Sequence, residues 1–175
     1  EVGSFVSPKA VPQMAGTGEL FKLLPMTDAV AYSALVPNLR GYELAREAGV
    51  RSVAVVLSAT ETMNQRNINM SLEQTTAVST QLMQRAREDG IQARAYVAVA
   101  FECPFEGLTP PSVVEYLTQR MFEAGADKVI IADTIGAANP RAVREVLERL
   151  ATPSAAGQLS CHFHDTRGMA LANVL

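Results

Sequence analysis

The sequence predicts an α/β protein built on a parallel sheet. Along the whole chain, short runs of β-branched and other apolar residues alternate with longer segments whose apolar residues recur at helical spacing. Such alternation is typical of βαβ units. Apolar residues make up 48% of the 175 residues, which is enough for a sizeable core without disulfide bonds. We therefore expect one domain over residues 1–175.

Six strands are predicted from the short apolar runs. They are Val2–Val6, Ala29–Val36, Ser52–Ala59, Ala93–Ala100, Lys128–Asp133 and Gln158–His164.

Five helices are predicted between these strands. They are Lys9–Leu24, Leu39–Ala48, Ser71–Glu88, Pro111–Ala124 and Pro140–Leu150. Pro111 and Pro140 lie where a first helical turn tolerates proline, and Thr109 and Asn139 precede them as candidate caps. The segment 167–175 has the pattern of a further helix at its beginning.

Two architectures fit this alternation, an open doubly wound sheet and a closed (β/α)8 TIM barrel. Units of roughly 29 residues extrapolate to eight in about 230 residues, which is within the usual range of the barrel. No glycine-rich phosphate loop follows any predicted strand, which disfavours nucleotide-binding doubly wound folds. We expect an incomplete barrel with about strands two to seven. The start at Glu1 inside an apolar run and the end in a helical pattern suggest that both ends are truncated.

Charge and cysteine content limit the classes of partner. The net charge is -3 and the pI is about 5.4, so no general basic surface for nucleic acid or an anionic membrane is expected. The longest apolar runs are far shorter than the roughly 20 residues of a membrane-spanning helix. Two cysteines, Cys103 and Cys161, fit a reduced compartment. We expect a cytoplasmic location, although a targeting peptide could precede Glu1.

The segment Ser160-Cys161-His162-Phe163-His164-Asp165 contains the strongest candidate site. Two histidines at positions i and i+2 of a strand project from the same face, and neutral imidazoles are common metal ligands. Ligands in parallel α/β folds lie at the carboxyl ends of strands, which is where this pair lies. The alternative is an accidental pair with a hydrogen-bonding role in the core. Asp165 is interpreted as a loop or cap residue.

Two carboxylates at strand ends are further candidates. Asp133 ends a buried apolar run, and burying an unpaired charge is costly. It could act in the site or cap the following turn, and the residues alone leave both open. Glu1 leads an apolar strand and raises the same question.

Arg94 and Asn67 are candidate contacts for an anionic substrate. Arg94 lies early in an otherwise apolar strand, where an arginine needs a carboxylate or an anionic ligand. A structural ion pair is an equal alternative. Asn67 lies in a polar loop over residues 63–71, where turn chemistry with Ser71 as the N-cap and Gln74 at the third helical position is the competing explanation.

The two cysteines are more typical of structural residues than of nucleophiles. No basic residue is adjacent to Cys103 in the sequence to activate its thiol, and Cys161 faces away from the histidines on the predicted strand.

Seven motifs together resemble the 3-hydroxy-3-methylglutaryl-CoA lyase family. In chain order they are Glu1-Val-Gly-Ser-Phe-Val-Ser-Pro-Lys, Val11-Pro-Gln-Met, Pro37-Asn-Leu-Arg-Gly, Arg66-Asn-Ile-Asn, Cys103-Pro-Phe-Glu-Gly, Asp133-Thr-Ile-Gly and His162-Phe-His-Asp-Thr. The last two alone would indicate only a wider superfamily of metal-dependent lyases, aldolases and acyl-CoA condensing enzymes.

The resemblance implies a TIM barrel that holds a divalent metal, Mg²⁺ or Mn²⁺, and cleaves an acyl-CoA. The implied reaction is the retro-Claisen cleavage of 3-hydroxy-3-methylglutaryl-CoA to acetoacetate and acetyl-CoA. The family also supplies an arginine, a cysteine and further metal ligands from segments expected outside residues 1–175. A condensing synthase, a 2-oxo acid aldolase and a non-catalytic shortened barrel are the alternatives, and a homo-oligomer is compatible with each.

The resemblance also implies roles for individual residues. It makes His162 and His164 metal ligands, His162 a proton-transfer residue, Glu1 and Asp133 active-site carboxylates, and Asn67 and Arg94 substrate-binding residues.

Overall fold

Within the described part of the chain, six parallel strands form one sheet whose spatial order follows the chain without reversal. The computed structural model describes residues 1–25, 27, 29–151 and 157–175. In spatial order the strands are β1 (Gly3–Ser4), β2 (Ala34–Leu35), β3 (Ser52–Ser58), β4 (Gln92–Ala98), β7 (Lys128–Asp133) and β8 (Leu159–Phe163). A doubly wound sheet reverses its strand order at a switch point, whereas a barrel winds in one direction. The order therefore agrees with a barrel segment.

Seven α-helices and one hairpin accompany the sheet within the described residues. The helices are α1 (Thr17–Leu23), α2 (Leu39–Glu47), α3 (Glu61–Ile68), α4 (Leu72–Glu88), α5 (Pro111–Ala124), α6 (Pro140–Leu150) and α7 (Ala170–Val174). The antiparallel hairpin joins β5 (Glu102–Cys103) to β6 (Gly107–Leu108). None of these helices has the length and apolar character needed to cross a membrane.

The middle and last parts of the chain follow the predicted boundaries closely. The strand β7 and the helices α5 and α6 have the predicted bounds. The side chain of Ser71 accepts a hydrogen bond from the Gln74 N–H at 3.1 Å, and that of Asn139 accepts one from Ala142 at 3.0 Å, so both caps are confirmed. Thr109 does not cap α5, because its hydroxyl donates to the Val99 carbonyl instead.

The first part of the chain departs from the prediction. The predicted strands at 2–6 and 29–36 each contribute only two paired residues to the sheet. The predicted helix at 9–24 is divided into a 3-10 turn at Pro12–Met14 and the short α1. Most of the segment 63–71, for which the sequence predicts a polar loop, belongs to α3.

The two faces of the sheet carry different side chains. On β4, for example, Ala95 and Val97 are fully buried in the hydrophobic core that the helices form against this helix-side face. The alternate residues Arg94 and Tyr96 are half-buried and lie on the opposite face, which becomes the inner face of a barrel. Side chains for a site must therefore come from the inner-face alternation or from the loops at the carboxyl ends of the strands.

Candidate active site

His162 and His164 lie together on the inner face at the carboxyl end of β8. Their ring centroids are 5.0 Å apart with the ring planes at 63°, and both residues are exposed. Phe163 between them points to the other face, where its ring centroid lies 6.2 Å from that of Phe101. The structure thus confirms that the two imidazoles share one face.

Tyr96 is a neighbour of this pair that sequence reasoning missed. Its ring packs edge-to-face on His162 with centroids 6.2 Å apart. Tyr96 pairs with Ile130 and Ile130 pairs with Ser160, so Tyr96 lies one pleat below His162 on the same face. Strand alternation from Arg94 could have identified it.

The pair supplies two nitrogen donors of the type that divalent cations bind. Among the described residues, no three histidine, cysteine or acidic side chains converge into a metal-binding group. Because a cation such as Mg²⁺ requires more than two ligands, His162 and His164 fit part of a coordination shell.

Asp133 is fully buried and caps the turn that follows β7. Its carboxylate oxygens accept hydrogen bonds from the N–H groups of Ala137 at 2.8 Å and Ala138 at 3.1 Å. It pairs with Phe163 in the sheet, so it belongs to the helix-side alternation while His162 belongs to the inner one. The role of Asp133 as an active-site carboxylate therefore stays a prediction. Capping is the alternative that the structure shows.

The turn after Asp133 packs closely against the loop that follows the histidines. Gly136 has a φ of +67°, and a Cβ at this position would lie 2.6 Å from Thr166 Oγ1 and 2.9 Å from the Thr166 backbone nitrogen. A glycine is therefore required on both conformational and steric grounds. Asp165 accepts a hydrogen bond from the Ala170 N–H at 2.9 Å, which supports its interpretation as a cap residue.

Arg94 lies on the inner face but binds a residue near the amino ends of the strands. Its guanidinium donates to Ser33 Oγ, and Ser33 immediately precedes β2. Its Nε is buried without a hydrogen-bond partner, and Arg94 forms no ion pair with the described residues. The structural ion pair is thus not found among the described residues, where a hydroxyl is the partner of the guanidinium, and the substrate-binding role of Arg94 stays a prediction.

Asn67 and Asn64 lie in the same helix and differ in burial. Asn67 is exposed in the last turn of α3 and remains available to a ligand. Asn64 is fully buried, and its amide makes three hydrogen bonds to the backbone of Ser58 and Thr60, at 2.8–3.0 Å. Sequence reasoning missed Asn64, because three asparagines occur in this segment and no local pattern indicates which one is buried.

Glu1 is exposed and lies two residues before β1, and the N–H of the next residue, Val2, donates to the Ser33 carbonyl at 2.8 Å. The structure does not place Glu1 against the histidines, so its catalytic assignment stays a prediction.

Both cysteines have environments that agree with structural roles. The Cys103 sulfur is buried and accepts a hydrogen bond from Thr60 Oγ1 at 3.1 Å. Cys161 is on the exposed edge strand, but desolvation of its sulfur raises the pKa of the thiol, which reduces the thiolate population.

Comparison with known proteins identifies the family. Residues 17–175 match the family model described as HMGL-like. The chain belongs to this family. It is 42% identical over 174 residues to the hydroxymethylglutaryl-CoA lyase of Pseudomonas mevalonii, covering 99% of this chain and 58% of that protein. The resemblance that the seven motifs indicated is thereby confirmed.

Solved structures of HMGL-like proteins confirm the barrel segment. The hydroxymethylglutaryl-CoA lyase from Pseudomonas aeruginosa superimposes with a TM-score of 0.93 at 41% identity, over 99% of this chain and 58% of that one. An HMG-CoA lyase from Acinetobacter baumannii, in complex with coenzyme A and 3-methylmalate, gives 0.91 at 36% identity, over 98% and 56%. The chain thus spans somewhat more than half the length of these relatives. Other relatives are named as cytoplasmic or as mitochondrial, so the cytoplasmic location stays a prediction.

Proposed function

We propose that this chain forms part of the active site of a divalent-metal-dependent lyase that cleaves 3-hydroxy-3-methylglutaryl-CoA, or a related 3-hydroxyacyl-CoA, to acetoacetate and acetyl-CoA. The observation that carries the proposal is the pair of adjacent imidazoles at the carboxyl end of β8, in a chain of the HMGL-like family. An acyl-CoA partner is supported by the related structure that contains coenzyme A.

His162 and His164 would hold a divalent cation, Mg²⁺ or Mn²⁺, as two of its ligands. When bound, the cation would polarise the hydroxyl and carboxylate oxygens of the substrate. Both imidazoles are exposed on the inner face, so substrate oxygens can approach them without a rearrangement of the core.

His162 is also the proposed proton-transfer residue. An imidazole has two ring nitrogens, so one can hold the cation while the other carries a proton. The edge-to-face contact with Tyr96 restricts the rotation of the ring. In the proposed reaction the C3 hydroxyl loses its proton, the bond between C2 and C3 breaks, and its electrons form the enolate of acetyl-CoA, which then accepts a proton.

The remaining candidate residues have separate proposed roles in the active site. Glu1 and Asn67 are exposed, and we retain Glu1 as a proposed active-site carboxylate and Asn67 as a proposed substrate-binding residue. Asp133 is retained as a proposed active-site carboxylate, and its two oxygens also fix the turn 134–138 beside the histidine loop. Arg94 is retained as a proposed substrate-binding residue whose guanidinium is oriented on the inner face by its hydrogen bond to Ser33.

The proposal is tested by replacing each histidine in the intact protein. We expect His164→Ala to raise the Mn²⁺ concentration needed for half-maximal activity by at least about 10- to 100-fold, because removing even an outer-shell partner of a metal ligand has an effect of that size. His162→Ala should in addition lower kcat at saturating metal by about 100-fold or more, because it also removes a proton-transfer group. Acetoacetate formation from 3-hydroxy-3-methylglutaryl-CoA is the measurement.

Gln92→Ala is the matched control, since Gln92 is an exposed residue at the amino end of the same face. Parent-like Mn²⁺ binding by His164→Ala would refute the two-histidine site. Absence of cleavage by the intact parent, together with condensation of acetyl-CoA and a 2-oxo acid, would favour a synthase.

A further inference from the structure

A residue with a strained backbone lies between the end of β4 and the hairpin β5–β6. Val99 has a φ of +49°, a left-handed conformation that β-branched residues rarely adopt. Its N–H donates to Thr134 Oγ1 at 2.8 Å and its carbonyl accepts from Thr109 Oγ1 at 2.7 Å. These two hydroxyls hold the Val99 backbone in this conformation. The chain turns at Val99 from the end of β4 toward the hairpin.

One side of the hairpin contacts α3, the helix that follows β3. The Glu106 carboxylate accepts a hydrogen bond from the Thr62 N–H in the first turn of α3 at 2.6 Å. The Arg66 guanidinium lies 4.3 Å from the centre of the Phe105 ring. The hairpin is therefore attached to α3 at both ends of that helix.

The other side of the hairpin contacts the loop 165–170, which follows the two histidines. The Arg167 guanidinium lies 3.7 Å from the Glu102 carboxylate. Arg167 is three residues beyond His164, in a loop where Asp165 also accepts hydrogen bonds from the Gly168 N–H at 3.0 Å and the Ala170 N–H at 2.9 Å. Glu102 is thus a charged contact between the hairpin and the segment that carries the imidazoles.

We propose that Glu102 and Arg167 are positioning residues for the two-histidine site. Through this ion pair the hairpin, already attached to α3 and to the end of β4, holds the loop 165–170 and so restricts the orientation of His164. The expected effect on Mn²⁺ binding rests on the proposed metal-dependent function. The expected effect on the order of the loop 165–170 rests on the geometry alone.

The expected effect is moderate because the pair is exposed. Arg167 and Glu102 have side-chain exposures of 57% and 31%, and exposed ion pairs change an equilibrium constant by up to about fivefold. Reversing one charge replaces attraction by repulsion, so we expect a change of about 3- to 10-fold.

The experiment is a charge swap in the intact protein. The variants are Arg167→Glu, Glu102→Arg and the double exchange, with Arg149→Glu as the control. Arg149 forms an exposed ion pair with Glu115 at 3.4 Å between α6 and α5, so the control disrupts a comparable pair elsewhere. The measurements are Mn²⁺ binding, hydrogen–deuterium exchange of the Ala170 amide without metal, and the melting temperature.

Each single variant should weaken Mn²⁺ binding and accelerate exchange at Ala170 by about 3- to 10-fold, and the double exchange should restore both. Single variants that behave like Arg149→Glu in both measurements would overturn the inference. If the single variants exchange the Ala170 amide faster but bind Mn²⁺ with the affinity of the parent, the ion pair does not restrict the orientation of His164, and that part of the inference is overturned. If the parent itself binds no Mn²⁺, the proposed metal-dependent function fails, and the exchange data alone decide whether the ion pair holds the loop.

Discussion

Replacement of Asn64 by alanine tests what fixes α3 at the carboxyl end of β3. The substitution removes three hydrogen bonds and leaves the N–H and carbonyl of Ser58 and the carbonyl of Thr60 without this partner. A buried polar group that loses its partner costs about 1–3 kcal/mol. Since α3 can shift and admit water to some of these groups, we expect a total loss of about 3–5 kcal/mol in the free energy of unfolding.

Urea denaturation of the parent and two variants measures this loss. Asn67→Ala is the matched control, because Asn67 is exposed three residues further along the same helix, and it should cost less than about 0.5 kcal/mol. Asn64→Asp keeps the acceptor for the Ser58 N–H but loses both donated bonds, so it should also be destabilised. Equal stability of Asn64→Ala and Asn67→Ala would refute the hydrogen-bond argument.

Two further predictions concern stability and pH. Tyr42 is buried and its hydroxyl donates to Asp89 at 2.8 Å, so Tyr42→Phe should cost about 1–2 kcal/mol at neutral pH. Burial, and then the Asp89 carboxylate, raise the pKa of the Tyr42 phenol in the folded protein, so the stabilisation by Tyr42 is present below the unfolded pKa of about 10 and declines above it. Urea titrations at several pH values should show the stability difference between the parent and Tyr42→Phe shrinking in alkali. A difference that does not change with pH would contradict the raised pKa. Gly136→Ala should destabilise the protein by about 1–3 kcal/mol more than Gly90→Ala, because both glycines have a φ of +67° but only a Cβ at Gly136 meets Thr166; equal melting temperatures would show that Thr166 moves aside.

The long elements were predictable because local signals agree with burial. The helix α6 starts at Pro140 after the Asn139 cap, and its apolar residues recur at helical spacing. The strand β7 is a continuous apolar run that ends at Asp133. Each of these boundaries depends on residues within a few positions along the chain.

The helix α3 could not be predicted because its support comes from distant residues. Asn64 alone among its eight residues is buried, so the segment shows little apolar periodicity. Glu61 in its first turn accepts a hydrogen bond from the Leu72 N–H at 2.7 Å, and Glu106 caps it from the hairpin. The Leu72 bond lowers the pKa of the Glu61 carboxyl. Such contacts join residues that are 11 and 44 positions apart.

The candidate site was predictable only in part, because some of its residues also depend on contacts that sequence patterns do not show. The His162–His164 pair depends on strand alternation alone and was placed correctly. The role of Asp133 depends on the turn to Ala137 and Ala138, and that of Arg94 on a serine 61 positions away. Sequence patterns indicated that these charges needed partners without indicating which atoms would supply them.

Strand alternation separates stability from chemistry in this sheet. On β8, Leu159 and Phe163 pack against the helix-side core, while His162 on the alternate position is exposed on the inner face. On β7 the helix-side residue Ile131 is fully buried in the core, and Asp133 continues the same alternation. Asp133 is therefore bound by the requirements of the core and of the turn it caps, whereas an imidazole on the inner face can contact a ligand without breaking a structural hydrogen bond. Because one face is packed by the helices, the opposite face of the same strands can carry polar groups at little cost to the core.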